Sequence, residues 1–134
     1  MHTNEELVRG LLAALTSGDY DTMRQDIADN IVFHFPGRSQ FAGDYTGKSE
    51  MMAFWARQQE RMDGVPGVIT VESVQAINEQ VIAIISLHAP VQGKELAWHG
   101  QYIFHVRDAQ IAEWWCILDD QIAFDSFWSY KKRE

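Results

Sequence analysis

Cysteine is almost missing from this chain. Cys116 is the single thiol among 134 residues, which excludes an internal disulfide framework and makes a reducing cytoplasm the default setting. Long apolar runs are missing too. None approaches the roughly 20 residues of a membrane span, and Met1 to Glu6 carries acids where a signal peptide needs an apolar stretch. Basic residues are few: 11 Lys and Arg stand against 19 Asp and Glu, a net charge of −8. That is the wrong sign for a nucleic-acid backbone as partner. Lys131, Lys132 and Arg133 form a basic cluster at the very end, where a solvated tail explains it. Five histidines and one cysteine lack the spacing of a structural zinc site, so no metal is expected.

What the chain does have is rings. It carries 16 Phe, Trp and Tyr, five of them Trp, in a composition that is 46% hydrophobic and 22% charged. Those proportions are globular rather than disordered, and the length suits one domain spanning 1–134. Indoles at this density line pockets and interfaces as well as cores.

Hydrophobic spacing predicts helices first and strands after. Leu7, Leu11, Leu12 and Leu15 mark a helix over Asn4–Thr16, with Asn4 as its cap. Ser17-Gly18-Asp19 stops it, and Asp19–Ile27 reads as a second, short helix. Ile31–Phe35 is a strand ended by Pro36-Gly37, and residues 36–47, with Gly37, Gly43 and Gly47, read as a loop. Lys48–Asp63 is a third helix carrying Met51, Met52, Phe54 and Trp55. Val68–Ile77, Val81–His88, Glu95–Arg107 and Ile111–Leu118 read as strands, with Arg107-Asp108-Ala109-Gln110 as the hairpin connection between the last two. Asp119 or Asp120 caps a short final helix bearing Ile122, Phe124, Phe127 and Trp128. The order gives an α+β domain, a curved and mostly antiparallel sheet wrapped around the helices.

Familiar motifs fail. Gly43-Asp44-Tyr45-Thr46-Gly47-Lys48-Ser49 imitates a phosphate-binding loop, but three residues lie between its glycines where that loop has four, and no parallel βαβ unit surrounds it. No serine-nucleophile elbow, His-Glu-x-x-His pair or dinucleotide glycine fingerprint occurs.

The element order does carry a likeness. Phe33-His34-Phe35-Pro36-Gly37, followed by Phe41-Ala42-Gly43-Asp44-Tyr45-Thr46-Gly47, resembles the SnoaL-like branch of the nuclear-transport-factor-2-like superfamily. Arg107-Asp108-Ala109-Gln110-Ile111-Ala112-Glu113-Trp114 is similar to that family's final hairpin, and Asp119-Asp120-Gln121 to the start of its aromatic-rich end. The resemblance covers nearly the whole chain. It implies a cone: a bent sheet closed on one side by three helices, with a pocket between them. Ketosteroid isomerase, polyketide cyclases, limonene epoxide hydrolase, scytalone dehydratase and non-catalytic binding domains share that cone, so the fold alone does not fix the function.

Carried over position by position, the resemblance removes the familiar catalysts. The isomerase base falls on Phe35, its tyrosine on Leu11 and its protonated Asp near Tyr102. The aspartate that cyclases and the epoxide hydrolase place on the last strand falls on Cys116. The hydrolase's Arg–Asp pair falls on Ser86 and His88.

The family's usual last hairpin, a type I turn with a bulge glycine, implies that Tyr102 pairs with Cys116 and Phe104 with Trp114. Alternation then puts Trp98, Gly100, Tyr102, Phe104, Trp114, Cys116 and Leu118 on the pocket face, and Ile103, His105, Trp115 and Ile117 outside. Ala109 stands where the glycine is usual. A tight two-residue turn would instead group Tyr102 with Trp115 and Asp119.

Three polar side chains remain as candidate catalysts. His88 alternates with Ser86 on an otherwise apolar strand and is expected on the pocket face, either as a proton carrier or as a buried neutral ring bonded to Tyr102 or backbone. His34 precedes Pro36; strict alternation points it outward, and a bulge would turn it inward. Tyr102 offers a phenol suited to orienting a carbonyl. Tyr45, Trp55, Ser86, Trp98, Phe104, Trp114, Cys116 and Phe35 are the expected ligand-binding residues, Cys116 as a small inert hydrophobe. The expected ligand is a small, hydrophobic, cyclic molecule. Two functions remain open. One is an acid/base isomerase, cyclase or dehydratase without metal or organic cofactor; the other is a non-catalytic ligand-binding or dimerisation module. The apolar outer face around Trp115, Ile103 and His105 is expected to form a homodimer. Neither nucleic acid nor membrane is expected as a partner.

Overall fold

The computed structural model describes residues 3–39, 41–61, 68–91 and 94–120. Helices α1 (Asn4–Ser17) and α2 (Tyr20–Asp26) precede strands β1 (Ile27–Phe35) and β2 (Gly43–Thr46); α3 (Lys48–Arg61) follows. Strands β3 (Val68–Ile77), β4 (Gln80–Val91), β5 (Lys94–Arg107) and β6 (Gln110–Leu118) complete one sheet, in the order β2-β1-β6-β5-β4-β3. Every neighbouring pair is antiparallel except β1 with β6, which is parallel. The sheet is curved and unclosed, with β2 and β3 as its edges and the helices against its concave side. The α+β cone expected from the sequence is the architecture the chain adopts. The short final helix expected after Asp119 lies outside the described residues.

Local chemistry sets the helix ends. Thr3, not Asn4, caps α1: its hydroxyl accepts from the Glu6 backbone N–H and donates to the Glu6 carboxylate, both at 3.1 Å. Gly18, in the left-handed region at φ 76°, closes α1 with its N–H turned back on Ala14 and Leu15 carbonyls. Asp19 caps α2, accepting from the Thr22 N–H at 3.2 Å and the Thr22 hydroxyl at 2.6 Å. Leu7, Val8, Leu11, Leu12 and Leu15 then form the buried stripe of α1, which packs on β3.

Two stretches differ from expectation. β1 starts at Ile27 rather than Ile31, because Ile27 already pairs with Ile111 of β6; a bulge before Val32 leaves Asp29 and Asn30 exposed and loop-like in composition. Four residues of the expected glycine-rich loop, Gly43–Thr46, pair with β1 as the edge strand β2.

The β5–β6 hairpin reaches the expected register by an unexpected route. Asp108 and Ala109 both have positive φ, 52° and 62°, and Arg107 pairs with Gln110. This is the tight two-residue turn, whose twist suits a hairpin even with Ala at a strained position. Pairing then shifts by one: Val106 faces Ile111 but His105 faces Glu113, so Ala112 is an extra residue in β6. The tight turn and the bulge cancel. Tyr102 pairs with Cys116 and Phe104 with Trp114, as the family register implies. Gly100, opposite Leu118, allows the two strands to approach closely: a Cβ there would lie 2.4 Å from the Ile117 carbonyl oxygen and 2.7 Å from Leu118 Cδ2.

Candidate functional site

The concave face is built by alternation. Phe33 and Phe35 of β1, Trp114 and Cys116 of β6, and Trp98, Tyr102 and Phe104 of β5 point to it, beside Val81, Ala83, Ile85 and Leu87 of β4. Opposite them, Met51, Phe54, Trp55 and Gln58 recur at helical spacing on α3 and are all buried. The rings interlock. Trp114 stands 5.1 Å from Phe33, 5.3 Å from Tyr102, 5.0 Å from Phe104 and 5.5 Å from Trp55, centroid to centroid. Phe54 lies 4.9 Å from Phe33 and 4.8 Å from Tyr45.

The polar atoms on this face are neutral. Burial pushes the Tyr102 phenol well above its ordinary range, with the neighbouring Cys116 adding to the shift, and pushes the Cys116 thiol up as well. Neither supplies a base at neutral pH. Tyr45 faces inward opposite Phe33, but its hydroxyl donates to the Phe41 carbonyl at 2.5 Å and Arg57 lies 5.8 Å over its ring. Its phenol is thus engaged with the backbone at Phe41. Among the described residues, three buried nitrogens are left without a hydrogen-bond partner: Nε1 of Trp55, Nε1 of Trp114 and Nε2 of Gln58. An unpaired buried donor costs about 1–3 kcal/mol; two of these are on α3 and the third is on β6. Gln58 is a site residue that the sequence reading passed over. Its signal was the spacing 51, 54, 55, 58, which puts it on the buried stripe despite its polar neighbours.

The expected pocket-side facing of His88 and Ser86 is corrected, and His34 takes the outward side that strict alternation gives it. Val81, Ala83, Ile85 and Leu87 take the concave positions of β4, so Ser86 and His88 face the convex side. Ser86 Oγ meets His99 Nδ1 at 3.0 Å, and exposed His88 lies opposite Ala97 and Val68. His88 and Tyr102 are therefore on opposite faces of the sheet. His34 is also on the convex side, since Phe33 and Phe35 alternate inward without an intervening bulge. Its Nδ1 lies 2.7 Å from Asp44 and its Nε2 2.6 Å from Glu113, and its ring stacks on Trp115 at 5.3 Å. Burial alone would lower its pKa; hydrogen bonds and charge from Glu113 and Asp44 together outweigh that and raise it. Both ring nitrogens face carboxylates, which favours the protonated ring and ties β2, β1 and β6 together. Among the described residues, no group of three or more His, Cys, Asp or Glu is placed to hold a metal ion, and no helix is long and apolar enough to cross a membrane.

A cone of helices on a curved mixed sheet is the nuclear-transport-factor-2-like fold. Residues 8–114 match the SnoaL-like domain family, and the chain belongs to it. An uncharacterized protein of Mycobacterium tuberculosis is 27% identical over 124 residues, covering 92% of this chain and 95% of its own. The solved structure of Bal32a, from a soil-derived mobile gene cassette, superposes with a TM-score of 0.88 at 29% identity, covering 93% of this chain and 95% of that one. IdmH, a candidate polyketide cyclase from Streptomyces antibioticus, shares the fold with a TM-score of 0.75 at 22% identity, covering 94% of this chain and 99% of its own.

Proposed function

We propose that this protein holds a small, apolar, cyclic molecule inside the cone, between the rings of the concave face and α3. The observation that carries this reading is the interlocked wall of Phe33, Tyr102, Phe104 and Trp114 facing Phe54 and Trp55, with polar atoms that are neutral. Its chemistry is orientation and hydrogen-bond donation. Folding a flexible carbonyl chain for ring closure, or polarising a carbonyl for isomerisation, draws on those two effects. Kinship in fold to a candidate cyclase fits that role. Proton transfer by His88 or His34 loses its geometric support, because both rings lie on the far side of the sheet. Titration with planar aromatic probes, followed by tryptophan fluorescence, tests the reading. The expected result is saturable quenching at one site per chain, and linear, unsaturable quenching for every probe would overturn it.

We also propose that the convex face is covered by a second copy of the chain. Ile84 and Ile117 are 39% and 42% exposed there, in the row beside the one formed by Ile82, Ile103 and Trp115. Apolar side chains grouped at the centre of a sheet face are the usual mark of an interface.

A further inference from the structure

The convex face carries a row of titratable groups. Asp44 on β2 lies 2.7 Å from His34 on β1, and His34 lies 2.6 Å from Glu113 on β6. Glu113 pairs across the ladder with His105 on β5, and His105 Nε2 is 3.8 Å from Glu79, just before β4. Acid and imidazole therefore alternate across the sheet: Asp44, His34, Glu113, His105, Glu79. The row borders the apolar centre of the face. The His34 ring stacks on Trp115 at 5.3 Å, and His105 follows Ile103 by two residues on β5. Uncharged Gln80 stands opposite His105 on β4, and Arg107 follows it by two residues on its own strand. His88 and His99 lie toward the other end of the face, with Asp119 beside His99.

An alternating row is its own complement. A two-fold axis that sets His34 opposite Glu113 across a pair of copies also sets Asp44 opposite His105. Each imidazolium then meets carboxylates of both chains. Carboxylates stay charged around neutral pH, and imidazoles do not. With both rings neutral, the row holds three carboxylates and neither imidazolium between them. Two such rows repel, in a chain whose net charge is already −8.

We infer that pairing of two copies across the convex face takes up protons at His34 and His105, so that the dimer tightens as pH falls through the neutral range. The inference rests on the reading that a second copy covers this face, and it names what controls the contact. The carboxylates that favour a protonated His34 are already in place in the single chain, so part of the site is formed before the partner arrives.

Light scattering of the full chain over a concentration series, at pH 6.0 and pH 8.0 and one ionic strength, tests this. A proton bound on pairing changes the dissociation constant by up to about tenfold per pH unit. The constant is expected to be about tenfold or more larger at pH 8.0. His34→Gln combined with His105→Gln keeps hydrogen-bonding side chains that cannot charge. Its constants at the two pH values should agree within about twofold. His88→Gln, on the same face but away from the row, should keep the wild-type response. Should circular dichroism show the double variant unfolded, His105→Gln alone reads the effect, because that side chain is 36% exposed. It should reduce the response about threefold, and an unchanged response would remove His105 from the link. A dimer with equal constants at both pH values, or tighter at pH 8.0, would overturn the proton link and leave the pairing standing. So would a response that survives loss of both row imidazoles, or one that disappears in His88→Gln. A wild-type monomer at both pH values at micromolar concentration would overturn the pairing itself.

Discussion

The concave face of the sheet carries Phe33, Tyr102, Phe104 and Trp114, while the convex face, one residue away along each strand, carries all four described histidines: His34, His88, His99 and His105. Aromatic rings, with the neutral Tyr102 phenol among them, went inside; the imidazoles went outside. The convex histidines are also occupied: His34 by Asp44 and Glu113, His99 by Ser86, and His105 at 3.8 Å from Glu79. The lesson is that a histidine on a strand beside a pocket tells little until its parity is known. Here the parity removes the imidazoles from the interior and leaves neutral donors to act there.

That contrast can be broken from either side. The largest effect is expected inside: Trp114→Ala should cost about 3–5 kcal/mol in urea unfolding, against less than about 0.5 kcal/mol for Gln75→Ala on the exposed edge strand β3. Similar losses at both positions would erase the distinction. Gly100→Ala should cost about 3 kcal/mol, because its new Cβ meets the Ile117 carbonyl oxygen at 2.4 Å and backbone cannot yield cheaply. Trp115→Glu places a charge in the proposed contact between two copies. Light scattering should show the dimer's dissociation constant rising about tenfold or more, with the monomer still folded; a wild-type monomer at micromolar concentration would refute the pairing.

Smaller effects probe the charges. The folded pKa of His34 is raised above the ordinary 6.5, so its contribution to stability is complete below that value. It is lost as pH rises through the folded pKa, since the neutral ring can donate to only one of the two carboxylates. The facing groups are Asp44 on β2, Glu113 on β6 and the Trp115 ring. Unfolding free energy should therefore fall with rising pH by on the order of 1 kcal/mol, and His34→Phe should flatten that slope. The smallest effect is expected at His88. His88→Gln should leave probe binding within about twofold of wild type, as suits an exposed side chain on the far face. A large loss would return His88 to the site.

Most of the fold was legible because its periodicities are clean. Val68–Ile77 has the bounds expected from the sequence, and α1 and α3 follow from leucine and aromatic spacing. The face of β4 was not legible. Val81-Ile82-Ala83-Ile84-Ile85 is apolar at every position, so nothing in the run tells inside from outside, and His88 inherited an arbitrary parity. Strand β2 was hidden because Gly43-Asp44-Tyr45-Thr46 has loop composition and gains its order from pairing with β1. Gln58 was hidden by its type: a polar residue in a polar stretch reads as surface until its helical position is counted.

Ala112 has a consequence of another kind. It behaves as a spare letter in the reading frame of β6. Deleting it would straighten the strand and keep the present facing, since His105 would still meet Glu113. Keeping it while flattening the bulge would advance the frame by one residue. Glu113, Trp115, Ile117 and Asp119 would then turn to the concave side in place of Trp114 and Cys116. The same letters spell a neutral interior in one frame and an acidic one in the other. An ancestral line could thus pass between a cone that only donates hydrogen bonds and one that holds a carboxylate base by moving a single bulge, without exchanging any residue on that strand.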